Sequence, residues 1–495
     1  MKIKYLLYLT LFVFSGVSCQ KDDKYLNGAT TSIFAAADPK STAELESLMG
    51  GSYFSFMGFF LTGSPYDGIV SYPTLASGEA TWRTIAGSTK NIDHWNSRKN
   101  ISTDVMTKEY WAQSYYVIHQ CNIIINGIGK FSDYKNWESR LEGEARFLRA
   151  ICNYSLVLGF APPYGSDNSA KAIILYNTEM SKGPTDLRKR ATVDEVYKAI
   201  IEDLLIAIEK LPAKYSAGDP ATYSLRTRAW KAAAQMALAR VYFNMGKDHW
   251  NDALPLINAV LDSSDPQFSL VADPQGAFNL LHKEPSSSET IWCFSCGWWT
   301  WHNCPFIWMT SGDVFNATPR TPSRAFSISN EMLAYIGWND TISAKHDLRY
   351  NRCYQRFEAG KDPIPSYKSI NEAAVWPVKY EISFRSEISM MRLAELYLDK
   401  AIILFDTDKA GAAAALKIIR DRAGLPEITA ASITAEDIHK ERAKEFLFEG
   451  DWLHYLQCQK MDIPSGTIGG TKIPWNDPSL VLPVPADEVA ANPGI

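Results

Sequence analysis

Residues 226–261 read RTRAWKAAAQMALARVYFNMGKDHWNDALPLINAVL, and residues 390–424 read MMRLAELYLDKAIILFDTDKAGAAAALKIIRDRAG. Both stretches carry apolar residues at the three-to-four spacing of a helix with one buried face. Each divides into two such runs, 226–245 with 249–262 and 387–405 with 410–422. Ala239 and Tyr242 on one run answer Ala253 and Ile257 on the next; Ala394 and Tyr397 answer a run of small residues. Small side chains let two helix backbones approach, and a Tyr ring fills the groove between them. The reading is a pair of helical hairpins.

The same period extends outward. Residues 41–60 predict a helix, as do 103–128, where Thr103 or Asp104 can cap and Tyr110, Trp111, Ser114, Tyr115, Ile118 and Asn122 follow at helical spacing. Residues 136–159 predict another, ended by Gly159 and Pro162-Pro163. Thr192 with Glu195 forms a capping box that opens 192–210, and Pro212 stops it. A last helix is expected over 435–457. The chain is therefore mostly α. The interiors of the two pairs resemble the tetratricopeptide pattern, unevenly spaced, so long insertions separate the repeats. Such a core usually serves recognition. Residues 264–385 differ: rich in Pro, Gly, Ser and Trp, they predict loops, short helices and short strands laid over the core. Residues 61–100 and 160–190 read similarly, and irregular segments this long commonly carry function.

The 495 residues are 46% hydrophobic and 21% charged, which excludes disorder, collagen and coiled coil. A net charge of −5 argues against nucleic acid as a partner. The chain opens MKIKYLLYLTLFVFSGVSCQKDD. Lys2 and Lys4 precede an apolar run, Tyr5 to Phe14, too short to span a bilayer, so residues 1–18 read as a signal peptide. Gly16-Val17-Ser18 before Cys19 resembles a lipobox, with Gly16 where Leu is preferred; Cys19 is the expected lipidation site. Cleavage there leaves 48 basic against 55 acidic groups. The body is then expected to be held at the membrane by lipid alone.

Removing Cys19 from the count leaves seven cysteines, an odd number that does not suit a disulfide scaffold. Cys121, Cys152 and Cys458 fall in helical patterns and read as small core residues. Cys293, Cys296, His302 and Cys304 have a zinc-like look, but one residue between His302 and Cys304 makes tetrahedral closure awkward. A redox pair or disulfide there stays open. No metal and no cofactor is expected, and no nucleophile motif or phosphate loop is present to assign catalytic residues.

Eight pieces, in order, carry a family resemblance: Cys19 in its lipobox, ARFLRAICNYSLVLGFAPPYG at 145–165, TVDEVYKAIIEDLLIAIEKLP at 192–212, RTRAWKAAAQMALARVYFNMG at 226–246, MRLAELYLDKA at 391–401, IIRDRAGLP at 418–426, ERAKEFLFEGDWLHYL at 441–456 and the terminal LVLPVPADEVAANPGI. Together they resemble the SusD/RagB family of Bacteroidetes outer-membrane nutrient-binding lipoproteins. Gln20-Lys21-Asp22-Asp23 resembles the acidic signal that sends such lipoproteins to the outer leaflet. The chain departs from the pattern at Gly159-Phe160-Ala161, at Asp451, where Arg commonly follows the FEG, and at Gln457-Cys458-Gln459. The resemblance implies one SusD-like domain over 19–495, with four tetratricopeptide-like units and an irregular ligand-binding face. It implies no enzymatic activity. It implies an outer-membrane lipoprotein that captures oligosaccharides for a SusC-like TonB-dependent transporter; the RagB branch takes peptides instead.

Glu441, Glu445 and Glu449 stand one helical turn apart, a spacing that could serve acid–base work. With Arg392, Arg420 and Arg422 on neighbouring family elements, an ion-pair network is the stronger expectation. The aromatic excess points elsewhere. Of 15 Trp, five lie between Trp292 and Trp308. A flat ring packs against the C–H face of a sugar while Arg, Asp and Asn bind its hydroxyls. Trp298, Trp299 and Trp301, with Trp82, Arg83 and Trp95 on a second irregular stretch, are the expected ligand residues. Trp230 and Trp452 lie in helical patterns and are expected in the core; Trp111 fits either role.

Overall fold

The structure, a computed structural model, describes residues 39–56, 69–82, 92–131, 138–176, 187–215, 226–264, 267–278, 280–281, 287–295, 326–358, 373–379, 386–465 and 471–495. Helix α1 spans Thr42–Phe56. A short helix α2 (Ser71–Ala76), strand β1 (Ala80–Trp82) and helix α3 (Ile92–Ser97) follow. Then come α4 (Val105–Gly127), α5 (Glu138–Phe160), α6 (Val193–Lys210), α7 (Lys231–Met245) and α8 (Trp250–Leu261). Two of these starts follow the capping residues read from sequence. Asp104 Oδ2 accepts from Thr107 N at 2.8 Å, and Thr192 and Glu195 close a reciprocal capping box.

The irregular middle supplies short elements: β2 (Leu280–Leu281), β3 (Thr290–Ser295), β4 (Phe326–Ile328), α9 (Asn330–Tyr335), α10 (Thr341–Ala344), α11 (Leu348–Cys353), β5 (Tyr354–Phe357), β6 (Ala374–Pro377) and β7 (Ser386–Arg392). The chain ends in α12 (Leu393–Leu404), α13 (Lys409–Arg422), α14 (Ala435–Phe446), α15 (Asp451–Cys458) and α16 (Ala486–Ala491). Three small antiparallel sheets form, β1–β4, β2–β7–β3 and β5–β6.

The long helices stack in chain order. α1 packs on α4, α4 on α5, α5 on α6, α6 on α7, α7 on α8, α8 on α12 and α12 on α13. This is the tetratricopeptide-like core. α7 buries Ala232, Ala233, Ala234, Ala237 and Ala239, which lets its neighbours close in on three sides. α6 buries Val196, Ile200, Leu204 and Ala207 at helical spacing. Each fully buried Val, Ile or Leu contributes roughly 1.5–3 kcal/mol.

Two expected helices need correction. The run 387–405 begins as strand: Ser386–Arg392 is β7, central in its sheet, and α12 starts only at Leu393. Ser389 to Arg392 are all buried, so the polar–apolar alternation of a half-exposed strand is missing from the sequence. The final helix is two, α14 and α15. They are broken where Phe448 (φ 65°) and Gly450 (φ 78°) turn left-handed. A Cβ on Gly450 would lie 2.2 Å from the Ile69 carbonyl oxygen and 2.6 Å from Val70 Cα, so only glycine lets α15 approach the start of α2.

At the centre the three glutamates of α14 and its following turn meet four arginines. Arg392 reaches Glu289 (2.9 Å), Glu445 (2.5 Å) and Glu449 (2.8 Å). Arg422 bonds Glu289 at 2.9 Å and Glu445. Arg349 bonds Glu441 at 2.7 Å, Arg420 bonds Glu441 at 2.6 Å, and Lys379 bonds Glu449 at 2.6 Å. Asp451, the residue that departs from the family pattern, pairs with Arg442, which also holds Asp399. Burial alone would raise the Glu441 and Glu445 carboxyls. The facing guanidiniums more than reverse it, leaving Glu441 below the ordinary carboxylate range and Glu445 well below. The trio is therefore an ion-pair network rather than an acid–base pair.

Two outcomes follow. Gly450→Ala combines left-handed strain with a backbone clash and is expected to lose about 2–5 kcal/mol of stability, read from urea unfolding. Glu445 is depressed in the fold, so its contribution is present above the ordinary carboxylate pKa near 4.5 and is lost as pH falls through its folded value. Glu445→Gln should cost about 3–5 kcal/mol at pH 7, and its deficit against the unsubstituted protein should shrink in urea titrations run from pH 5 towards pH 3.

Candidate functional site

The stretch 69–82 is a shelf clamped from several sides. The Thr74 hydroxyl accepts from Gly450 N at 3.1 Å, and Glu79 Oε1 accepts from Phe448 N at 3.3 Å. The Tyr72 hydroxyl donates to the Leu480 carbonyl. Asn96 Nδ2 donates to the carbonyls of Leu75 and Ala80, both at 3.2 Å, and Arg98 Nε donates to that of Ala76 at 2.9 Å. All ten residues from Ser71 to Ala80 are buried. β1 therefore starts from a rigid base and ends at Trp82.

Trp95 does not belong with them. It is 1% exposed, packs edge-on to Tyr72 with centroids 5.6 Å apart, and its Nε1 donates to the Thr107 hydroxyl at 3.1 Å. The turn of α3 points it inward and leaves no ring face for a ligand, so its expected role as a platform is corrected to core. Its neighbour Asn96 pins β1 instead. Trp292 is also core, fully buried against Phe147 (4.9 Å) and Phe56 (6.0 Å). Trp111, Trp230 and Trp452 are buried with the helices. Trp82 is the last residue of β1; Arg83, Trp298, Trp299, Trp301 and Cys19 lie outside the described residues.

Strand register nevertheless relates the two aromatic stretches. In the β1–β4 ladder, Ala80 faces Ile328, Thr81 faces Ser327 and Trp82 faces Phe326. Because Trp82 is opposite Phe326, the positions that precede Phe326 and follow Trp82 in the chain adjoin the same end of the ladder. Ser295, at the end of β3, lies opposite Glu387 at the start of β7, and β2 ends at Leu281 opposite Ser386. Leu281, Ser295 and Ser386 thus lie at one end of the three-stranded sheet.

Chemistry elsewhere is sparse. Cys121, Cys152, Cys293 and Cys353 are buried, and burial pushes the Cys353 thiol up to about 12. Cys293 sits buried inside β3, while Cys296, His302 and Cys304 lie outside the described residues. Among the described residues no three His, Cys, Asp or Glu side chains converge on a metal position. An internal cavity of about 60 Å³ lies among Arg240, Arg392, Arg442, Glu395, Glu449 and Asp451. Its charges balance and its volume suits a few waters, far below the roughly 300 Å³ of a small-molecule cleft. Sequence reasoning missed the Thr74–Gly450 and Glu79–Phe448 contacts. The conformation-demanding glycine of the FEG was the one available signal for them.

No curated protein sequence matches the chain. Residues 70–243 match a family described as starch-binding and associating with the outer membrane, and residues 366–453 match the SusD family. Among solved structures, a SusD superfamily protein of Bacteroides thetaiotaomicron shares 20% identity at a TM-score of 0.76, covering 92% of this chain and 99% of that one. A SusD-like carbohydrate binding protein of Bacteroides vulgatus shares 16% at a TM-score of 0.71, covering 92% and 98%. A laminarin binding SusD-like protein shares 19% at a TM-score of 0.70, covering 92% and 100%. With two family matches spread over both halves of the chain and the same helical stack throughout, this protein belongs to the SusD/RagB family.

Proposed function

We propose that the protein is a cell-surface lipoprotein, anchored through Cys19, that captures oligosaccharides and delivers them to a SusC-like TonB-dependent transporter. The observation that carries the binding half of this reading is the β1–β4 register. It pairs Trp82 with Phe326, so Arg83 and the stretch that holds Trp298, Trp299 and Trp301 adjoin the same end of one ladder in the chain, which supports the reading. Stacking platforms drawn from both, with Arg83 as a donor to hydroxyls, suit a sugar with an apolar ring face and an equatorial hydroxyl rim. Two of the structural relatives are named for carbohydrate and laminarin binding. The delivery half rests on family membership. No helix among the described residues is long and apolar enough to cross a membrane, in keeping with attachment by lipid.

The reading is one of binding without turnover. The stacked glutamates that resemble a glycosidase pair are consumed by Arg349, Arg392, Arg420 and Arg422. The domain is read as one unit, 19–495, because the helices stack without interruption from α1 to α13.

Titration calorimetry with soluble starch and with laminarin should show binding and no released products. Trp298→Ala with Trp299→Ala should weaken it at least tenfold, as expected where each lost ring stack is about 1 kcal/mol or more. Trp95→Ala should instead destabilise the fold. Peptide binding in the absence of any glycan affinity would favour the RagB-like alternative and overturn the sugar assignment. Cys19→Ala is expected to move the protein from the membrane pellet to the soluble fraction after cell lysis.

A further inference from the structure

A polar cleft opens among α4, α5 and α6, from residues that take no part in the β1–β4 ladder. It holds about 270 Å³, close to the roughly 300 Å³ at which small-molecule sites begin. Asn122 and Asn126 lie one turn apart on α4, as do Arg146 and Arg149 on α5, so each helix turns both polar side chains to the same side. α6 adds Glu202 and Asp203. The floor is buried and locked: Asn122, Arg149 and Asp203 are each 2% exposed. Arg149 donates to Asp203 through Nε at 2.7 Å and Nη2 at 2.6 Å, and to Asn122 Oδ1 through Nη1 at 2.6 Å. Asn122 Nδ2 donates in turn to the Tyr176 carbonyl. The rim is not spent in this way. Arg146 gives Nε to Glu142 at 3.2 Å and Nη1 to Asp203 at 3.0 Å, and its Nη2 has no partner among the described residues. The exposed side chains of Asn126 and Glu202 have none there either.

The open groups define what suits the cleft. A guanidinium N–H only donates, a carboxylate only accepts, and an amide does both. Two guanidiniums and two carboxylates line the walls, so a ligand of either net charge finds no net countercharge. Adjacent hydroxyls on a neutral molecule satisfy all three open groups, because each hydroxyl donates and accepts. Ile125 and Ala199 leave a small apolar patch for C–H groups, and no aromatic ring is among the described lining residues. The grip is therefore by hydrogen bonds, charge-assisted at Arg146 and Glu202, and the volume suits one sugar ring better than a chain of them. We propose that this cleft is a separate ligand site that takes a neutral polyol of monosaccharide size through Asn126, Arg146 and Glu202. It goes beyond the capture of oligosaccharides at the aromatic stretches and shares no residue with them.

The test titrates the full chain with D-glucose, D-galactose and D-mannose by saturation-transfer NMR, with L-alanine as a zwitterionic probe. The titrations are repeated in the Trp298→Ala, Trp299→Ala protein, so that a hexose on the aromatic stretches is not mistaken for one in the cleft. A hexose should give a saturable signal in both proteins, and L-alanine should give none. Glu202→Ala removes an exposed carboxylate with no partner among the described residues, so its thermal midpoint should match that of the unsubstituted protein. Its hexose affinity should fall about tenfold, as for the loss of a hydrogen bond to a charged group, and Asn126→Ala should lose about fivefold. Saturating hexose should also slow hydrogen exchange at residues 122–126 and 199–203. A hexose signal that vanishes in the Trp298→Ala, Trp299→Ala protein, or that Glu202→Ala leaves unchanged, overturns the proposal. So do the absence of any saturable hexose signal and L-alanine binding as tightly as the sugar. Failure of starch and laminarin binding with the hexose signal intact would sink the aromatic reading alone and leave the cleft standing.

Discussion

A guanidinium taken out of water needs its charge balanced and its donors filled, and one partner is rarely enough. Arg392 meets that demand with Glu289 from just before β3, Glu445 from the end of α14 and Glu449 from the turn beyond it. It is itself the last residue of β7 and the cap position of α12. The irregular middle of the chain and its helical end therefore share one charge-balanced point. Removing any carboxylate would strand a buried cation. The geometry of the sheet β2–β7–β3 relative to α12, α13 and α14 follows from that single requirement.

The shelf from Ile69 to Trp82 is placed by the same region at one remove. Glu449 sits between Phe448 and Gly450, whose amides bond Glu79 and Thr74. The ion pairs of Glu449 with Lys379 and Arg392 hold that turn in its left-handed shape. Order passes from the arginine cluster to the turn, from the turn to the shelf, and from the shelf to β1.

Much of the helical stack was legible because its signals are local. Thr192 and Glu195 announce α6 three residues apart, Asp104 announces α4, and the alanines of α7 mark a helix pressed on several sides. β7 was hidden because a strand covered on both faces loses its alternation, and Ile388, Met390 and Met391 then fit a helical period as well. The split of the last helix was carried by Gly450 alone. Its neighbour Phe448 adopts φ 65° for reasons of tertiary fit that no propensity records. Trp95 was misplaced because polar neighbours suggested a surface, whereas Asn96 points its amide inward to two carbonyls. Composition drew attention to two aromatic stretches, while the pairing between Trp82 and Phe326, 244 residues apart, had no local signal.

The bonds from Phe448 and Gly450 to Glu79 and Thr74 join positions 369 and 376 residues apart. A chain emerging from its N-terminus makes the shelf early and its clamp almost last. Until α14 and the turn arrive, residues 71–80 have Asn96, Arg98 and β4 to close against but lack the Phe448 and Gly450 clamps. The contacts that fix this shelf are therefore completed late in the order of the chain. A chain cut short before residue 448 would keep most of its helices and lose the Phe448 and Gly450 clamps on residues 71–80, so the far end of the sequence is what completes the order of its beginning.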